Sequence, residues 1–417
     1  MILHGNCLDK LKTLKNNSID SIVTDPPYGL AFMGKKWDYE VPSVEIWTEA
    51  LRVLKPGGHL LSFGGTRTYH RMVVNIEDAG FEIRDQIMWI YGSGFPKSTD
   101  VSKRIDKEAG AEREVIGVSK NNRDRSKHNY NSVGNVDSEA IITAPATDSA
   151  KLYQGWGTAL KPSNEPICVA RKPLEKGLTV AANVLKYGTG GINIDGTRIG
   201  SNPGYSYKNG PGGNTFSVGK DVDGTRTQPV ESTQGRWPAN TIFDEAAAEM
   251  LDAQTQNLHG AGFKRDAEIR PTSQNIEFKG ALGTNMQRFG DSGGASRFFY
   301  VAKASKSERN AGLEGMPLKE SGGMSGTKDK SLKTGSGNER DNMNQNFHPT
   351  VKPIKLMQYL IKLVTPINGT VLDPFVGSGT TGVAAKSLGF KFIGCEMNKE
   401  YVEIAQRRIE HQESVAI

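Results

Sequence analysis

The 417-residue chain is poor in cysteine, in net charge and in long apolar runs, and the first and last of these shortages each close off a class of function. Its three cysteines, Cys7, Cys168 and Cys395, are odd in number and widely scattered. Neither a disulfide framework nor a metal-ligand spacing can be made from them, which suits a reducing compartment. No apolar stretch approaches the ~18–20 residues of a membrane span. The opening "MILHGNCLDKL" also lacks the basic-then-apolar layout of a signal peptide. A cytoplasmic protein with no membrane attachment and no metal is expected. Lys and Arg total 52 against 46 Asp and Glu, a formal charge of +6. That balance permits a nucleic-acid partner without requiring one. No strict internal repeat is present, and no nuclease or ATPase motif is recognisable.

What is present is order at the two ends and a polar middle. "SIDSIVTD" (Ser18–Asp25) predicts a strand, and "SVEIWTEALRVLKPGG" a helix with Ile46, Ala50 and Leu54 on one face, stopped at Pro56-Gly57-Gly58. "HLLSFGG" predicts a strand, "TYHRMVVNIEDAGF" a helix and "EIRDQIMWIYG" a strand. Later, "EPICVARKP" (Glu165–Pro173) predicts a single buried strand. From Gly188 to about Gln345 the chain is rich in Gly, Ser, Asn and Thr, broken by the ordered-looking "GGINIDGTRI", "GRWPANTIFDE" and "SRFFYVAKASKSERN". Order resumes with a helix carrying Leu356, Leu360 and Leu363 on one face, then strand "GTVLDPF", a glycine turn, a helix, strand "KFIGCEM" and a last helix. Neither end closes a sheet alone, so the economical layout is one α/β sheet built from both.

Two motifs carry chemistry. Asp25-Pro26-Pro27-Tyr28 follows the strand Ser21–Thr24, at the carboxyl end where open α/β sheets place ligands. Successive prolines fix φ and bring no competing N–H groups. The Asp25 carboxylate and the Pro26 carbonyl can therefore face one spot beside the Tyr28 ring, an arrangement that suits a planar group bearing an –NH₂. The plain structural alternative is a Pro-Pro turn with a capping Asp and a packing Tyr. The second motif, "VLDPFVGSGTTGVAA", contains G-x-G-x-x-G at Gly377, Gly379 and Gly382. Glu396 follows about twenty residues later, the position of a ribose ligand in nucleotide sites.

Together these stretches resemble the amino-group DNA methyltransferases dependent on S-adenosylmethionine, and more narrowly their β-class, in which the catalytic motif precedes the cofactor motif. The lead-in "HGNCLDKLKTLKNNSIDSIVTDPPY", the segment "HPTVKP" (His348–Pro353) and Glu396 support the resemblance, which covers roughly residues 1–95, 163–173 and 345–410. It implies a circularly permuted Rossmann-like methyltransferase sheet, α/β, formed from both chain ends, with a long inserted target-recognition region. The implied division is a catalytic half over 1–95, an insertion over 96–162, a core strand over 163–173, target recognition over 174–344 and a cofactor half over 345–417.

The resemblance also implies the site. Asp25, Pro26, Pro27 and Tyr28 would be catalytic. Asn6, Cys7, Thr350, Lys352, Asp373, Phe375, Gly377, Ser378, Gly379, Thr380 and Glu396 would hold S-adenosylmethionine. Thr380 and Thr381 would cap the helix after the turn. Thr350 and Lys352 would face the cofactor carboxylate, unless Lys352 is a solvated surface lysine. The family commonly has Asp where this chain has Asn6, which bears on cofactor affinity. The implied reaction is site-specific methylation of adenine N6 in double-stranded DNA, by base flipping and direct in-line transfer, with cytosine N4 as the alternative. Ring-carbon methylation needs a nucleophilic cysteine, usually after proline, and none of the three follows one. Phe32 and Trp37 either line the base pocket or pack. The basic runs "SKNNRDRSKH" (Ser119–His128) and "KASKSER" (Lys303–Arg309) are candidate phosphate contacts or solvated surface. A homodimer and a companion restriction endonuclease are compatible partners that the sequence does not identify.

Three rivals remain at this stage. An oxidoreductase would need several strands after the glycine turn and leaves D-P-P-Y without a role. Methylation of protein glutamine or RNA fits less well, because the glutamine enzymes usually carry N-P-P-Y after the cofactor motif. A degenerate, DNA-binding methylase is disfavoured by two intact motifs.

Overall fold

The structure, a computed structural model, describes all residues except 31–37, 93, 95–97, 121–138, 201–203, 208–228, 233–234, 256–293, 303–306, 321–342 and 416–417. Among the described residues one large sheet holds β1 (Ile2–His4), β2 (Ile19–Thr24), β3 (Leu54–Phe63), β4 (Glu82–Ile90), β5 (Asn164–Arg171), β6 (Thr241–Asp244), β7 (Tyr300–Ala302), β8 (Thr370–Asp373) and β9 (Lys391–Glu396). Their order across it is β1-β9-β8-β2-β3-β5-β4-β6-β7, so strands from both ends of the chain sit side by side. All run parallel except β5, which is antiparallel to β3 and to β4. The expected strands are all found. Three more were not foreseen: β1 at one edge, and β6 with the edge strand β7 at the other, the last two lying in the stretch expected to serve target recognition.

The central strands are apolar on both faces because helices cover both. On one side pack α1 (Cys7–Lys12), α2 (Val44–Val53) and α3 (Tyr69–Asp78), which bury Leu11, Trp47, Ala50, Val53, Met72 and Ile76 against Leu54, Leu60, Cys168 and Ala170. On the other pack α4 (Ile354–Val364), α5 (Thr380–Ser387) and α6 (Lys399–Val415), burying Leu356, Leu360, Val383, Ala405 and Ile409 against Val23, Leu61, Phe63, Ile167 and Val169. Leu60 and Leu61, like Cys168 and Val169, point to opposite faces, as the period of two requires. Each fully buried Leu or Ile contributes ~1.5–3 kcal/mol relative to exposure. Inside, Ser21 Oγ lies 2.8 Å from Thr365 Oγ1, and Lys55 Nζ donates to the buried Asp20 at 2.6 Å.

Beyond β4, helix Val101–Glu108 and the ribbon Val115–Lys120/Glu139–Thr143 are locked together at one point. There the buried Asp106 accepts from Arg113 at 2.6 Å and from Thr147 Oγ1 at 2.7 Å. Among the described residues no helix is long and apolar enough to cross a membrane. Phe32, Trp37, most of the first basic run and residues 303–306 of the second lie outside the described residues.

Candidate active site

Because the strands are parallel, their carboxyl ends share one edge of the sheet, and a cleft of about 1960 Å³ runs along it. Asn6 and Cys7 after β1, Asp25–Tyr28 after β2, Tyr91 after β4, Asp244 ending β6, Asp373 and Gly377 at and after β8, and Glu396 ending β9 all line it. The reversed strand β5 adds its amino end instead, Asn164 and Glu165. The cleft thus gathers residues about 370 positions apart for a topological reason.

At one end the catalytic-type loop is pinned hard. Asp38, 3% exposed, accepts from the backbone N–H of Tyr28 at 2.6 Å, Gly29 at 3.1 Å and Leu30 at 3.2 Å. The Tyr28 hydroxyl lies 2.7 Å from Asp25 Oδ1 and 2.9 Å from Glu165 Oε2. Burial, then the two carboxylates, pushes that phenol well above its ordinary pKa. Lys352 Nζ donates to Asp25 Oδ2 at 2.6 Å and to Tyr28 Oη at 3.2 Å, and lies 3.1 Å from Glu165 Oε2. Burial pulls the Lys352 ammonium down, but Asp25 and Glu165 outweigh it and hold the pKa above its ordinary value.

Lys352, expected to face a cofactor carboxylate, has its ammonium between two carboxylates of this chain. An ammonium taken out of water needs counter-charge, and two carboxylates of this chain supply it. Glu165 was read only as part of a strand. The available signal was an acid at the end of an otherwise apolar strand, but its direction, which decides the edge it reaches, is not a local property.

At the other end the glycine turn is fixed by carboxylates. Asp373, 1% exposed, accepts from Thr24 Oγ1 and Thr381 Oγ1, each at 2.6 Å, and from Phe375 N at 3.0 Å. Burial outweighs those bonds and pushes Asp373 up to about 6. Thr24 directly precedes Asp25, so this carboxylate ties the turn to the catalytic-type loop. Glu396 accepts from Gly377 N at 2.9 Å and from Asn398 N at 2.7 Å, and burial raises its pKa. Gly377 has φ +55° and Gly379 φ +85°. A Cβ at Gly377 would lie 2.8 Å from His348 Nε2, and one at Gly379 2.8 Å from the Ala405 Cα. Burial lowers His348 to about 4, so its ring is neutral at pH 7; its Nδ1 lies 2.9 Å from the Thr350 carbonyl oxygen.

The helix after the turn is not capped by threonine as expected. Its cap residue is Gly379, with no side-chain bond. Thr381 is committed to Asp373, and Thr380 Oγ1 lies 3.3 Å from Arg408 Nη1. Arg408, 2% exposed and unforeseen, donates from Nη1 to the Ser378 carbonyl at 2.6 Å and holds the turn from behind. Asn6 caps α1, its Oδ1 accepting from Leu8 N at 2.9 Å. Burial pushes the Cys7 thiol up to about 11. Among the described residues no cluster of His, Cys, Asp and Glu could hold a metal ion.

The profile of the N6/N4 DNA methylase family matches residues 19–407. The chain belongs to that DNA methylase family. Other likenesses to the methylase are local or loose. It is 48% identical over 80 residues to the type II methyltransferase M2.LlaDCHI of Lactococcus lactis subsp. cremoris, spanning 19% of this chain and 30% of that one. It is 54% identical over 63 residues to the type II methyltransferase M2.DpnII of Streptococcus pneumoniae, spanning 15% and 24%. Each match thus spans under a third of the relative's length. Among solved structures, the M1.HpyAVI–SAM complex is 15% identical with a TM-score of 0.37, over 98% of both chains.

Proposed function

We propose that this methylase transfers the methyl group of S-adenosylmethionine to the N6 amine of adenine in double-stranded DNA. The observation that carries the reading is that the Asp25–Tyr28 loop and the Gly377 turn with Glu396 open into one cleft and are tied together through Asp373.

The residues present fit the cofactor. Gly377 lines the cleft and, without a side chain, lets the backbone approach a ligand, whereas the side-chain position of Gly379 faces α6 and Gly379 is not among the lining residues. Glu396 retains lone pairs for two ribose hydroxyls, and Asn6, Cys7, Thr350, Phe375, Ser378 and Thr380 complete the lining. S-adenosylmethionine supplies an electrophilic methyl on a cationic sulfur.

The acceptor needs help, because the amine lone pair of adenine is delocalised into the ring. Asp25 and the Pro26 carbonyl accept its two hydrogens and localise that pair for in-line attack. Holding both reactants in place supplies up to ~7–11 kcal/mol of barrier reduction. A base within a duplex cannot reach such a cleft, so it is flipped out, with the Tyr28 ring as its stacking face. The Cys7 thiol, held at about 11, is a poor nucleophile, which favours transfer without a covalent enzyme intermediate. The same two acceptors would serve cytosine N4, the alternative target. Residues 174–344 would recognise the sequence, and a restriction endonuclease or a second copy would be partners.

The test is methylation of random-sequence DNA with labelled cofactor, followed by nucleoside analysis. N6-methyladenine is expected, and N4-methylcytosine would move the target to the alternative. Cofactor binding without methyl transfer to DNA would sink the reading. Asp25→Ala should bind cofactor but lose at least about 10³-fold in rate, since it removes an acid–base group and an acceptor together.

A further inference from the structure

The cluster around Lys352 contains more than an amine acceptor needs. Methylation of a neutral amine leaves a cationic nitrogen, which must shed one N–H proton. Asp25 has both oxygens occupied, Oδ1 by the Tyr28 hydroxyl at 2.7 Å and Oδ2 by Lys352 at 2.6 Å. A proton placed there removes the negative charge that strengthens both of these bonds. Tyr28 has a single hydroxyl proton and two carboxylates within reach of it, Asp25 at 2.7 Å and Glu165 at 2.9 Å. Lys352 touches all three, so two carboxylates and one ammonium carry a formal charge of −1 and can take up one proton to become neutral. Glu165 is the more exposed carboxylate, its side chain 23% accessible against 18% for Asp25.

We propose that Glu165 is the final acceptor of the proton released in methyl transfer, reached from Asp25 through the Tyr28 hydroxyl. This rests on the methyl-transfer reading above. The N–C bond forms from the amine lone pair, and the pair of the broken S–C bond stays on sulfur. The nitrogen then gives one proton to Asp25. The Tyr28 hydroxyl proton moves to Glu165 Oε2 while Asp25 passes a proton to the phenol oxygen. Asp25 and Tyr28 end as they began, and Glu165 ends as a neutral carboxylic acid that discharges to water in the cleft. Lys352 stays an ammonium throughout and is a positioning residue.

The experiment is single-turnover methylation by the full-length protein of a DNA that the wild type methylates. Glu165→Gln keeps the size of the side chain but cannot store the proton. Its rate should fall about a hundredfold, the usual scale for a lost acid–base group, while cofactor and DNA Kd stay within about threefold. Its solvent deuterium isotope effect should exceed that of the wild type, which a merely structural role would not produce. Tyr28→Phe should show the same loss, and the double variant little more than either alone, because coupled residues are non-additive. A Glu165→Gln rate within about twofold of wild type, or losses that multiply in the double variant, would overturn the proposal. If Glu165→Gln fails to fold, an unchanged rate and isotope effect in Tyr28→Phe would overturn it as well. A wild type that transfers no methyl defeats the parent reading instead.

Discussion

Replacing Lys352 with Met separates two roles for the residue: ligand of a cofactor carboxylate, or keystone between Asp25 and Glu165. Met keeps most of the length and loses the charge. Removing one partner of a buried ion pair costs ~3–5 kcal/mol, because the other is left uncompensated. Here two carboxylates are left, both facing the same vacated position at 2.6 and 3.1 Å. Their side chains keep 18% and 23% of their exposure, so water recovers part of the loss. The lower end, about 3 kcal/mol at pH 7, is therefore expected. The wild-type contribution is that of a group whose folded pKa is raised. It is fully present at neutral pH, below the lysine's unfolded value, and is lost only as pH rises through the folded value. Urea unfolding gives the stability change, and calorimetry gives the cofactor Kd in the same samples. The reasoning predicts a stability loss with cofactor Kd changed less than about fivefold, or ~1 kcal/mol. A variant as stable as wild type, with cofactor Kd raised more than about thirtyfold, would refute it and restore the cofactor role.

Three further outcomes are expected. Asn6→Asp should tighten cofactor binding about fivefold, since a charged acceptor is worth about 1 kcal/mol more than a neutral one; calorimetry that finds no gain would remove Asn6 from the cofactor site. Asp373, pushed up to about 6, favours the fold most when protonated, so its contribution is present below the unfolded value near 4 and lost as pH rises through about 6. Relative to Asp373→Asn, the wild type should therefore lose about 2.4 kcal/mol of urea stability between pH 4 and pH 7. A pH-independent difference would contradict the burial argument. Gly379→Ala should cost about 2–3 kcal/mol of stability, because φ is +85° and the new Cβ meets the backbone of α6 at 2.8 Å, too rigid a neighbour to yield. Denaturant unfolding measures it.

Long apolar strands and punctuated helices were legible because their signals are local. Ser18–Asp25, the Leu356–Leu360–Leu363 face and the Pro56-Gly57-Gly58 stop each need only a short window. That one sheet uses both ends also followed, from the shortage of strands at each. β1 and β7 escaped because three residues cannot show a period. β6, with four, lay in the ordered-looking "GRWPANTIFDE" but is too short to show a period. In the candidate site, residues carried by motif were placed together, whereas Glu165, Asp38 and Arg408 act through partners 137, 10 and 30 positions away. Lys352 shows the limit most clearly. Its motif gave its neighbourhood, but its counter-charges come from β2 and β5, which no linear reading brings together.

The pairing of β1 with β9 sets a clock on biosynthesis. The Met1 backbone nitrogen donates to the Phe392 carbonyl across 391 positions, and among the described residues β9 is the one strand paired with β1. At ~5–20 residues per second, a ribosome takes roughly 20–80 s to make the partner after β1 has emerged. Until residues 352–379 are made, the Asp25 loop exists without its Lys352 counter-ion and its glycine turn, so for most of that interval the nascent chain carries half of a cleft. The cleft is therefore complete only once the last strand of the sheet has been made and has paired with the first.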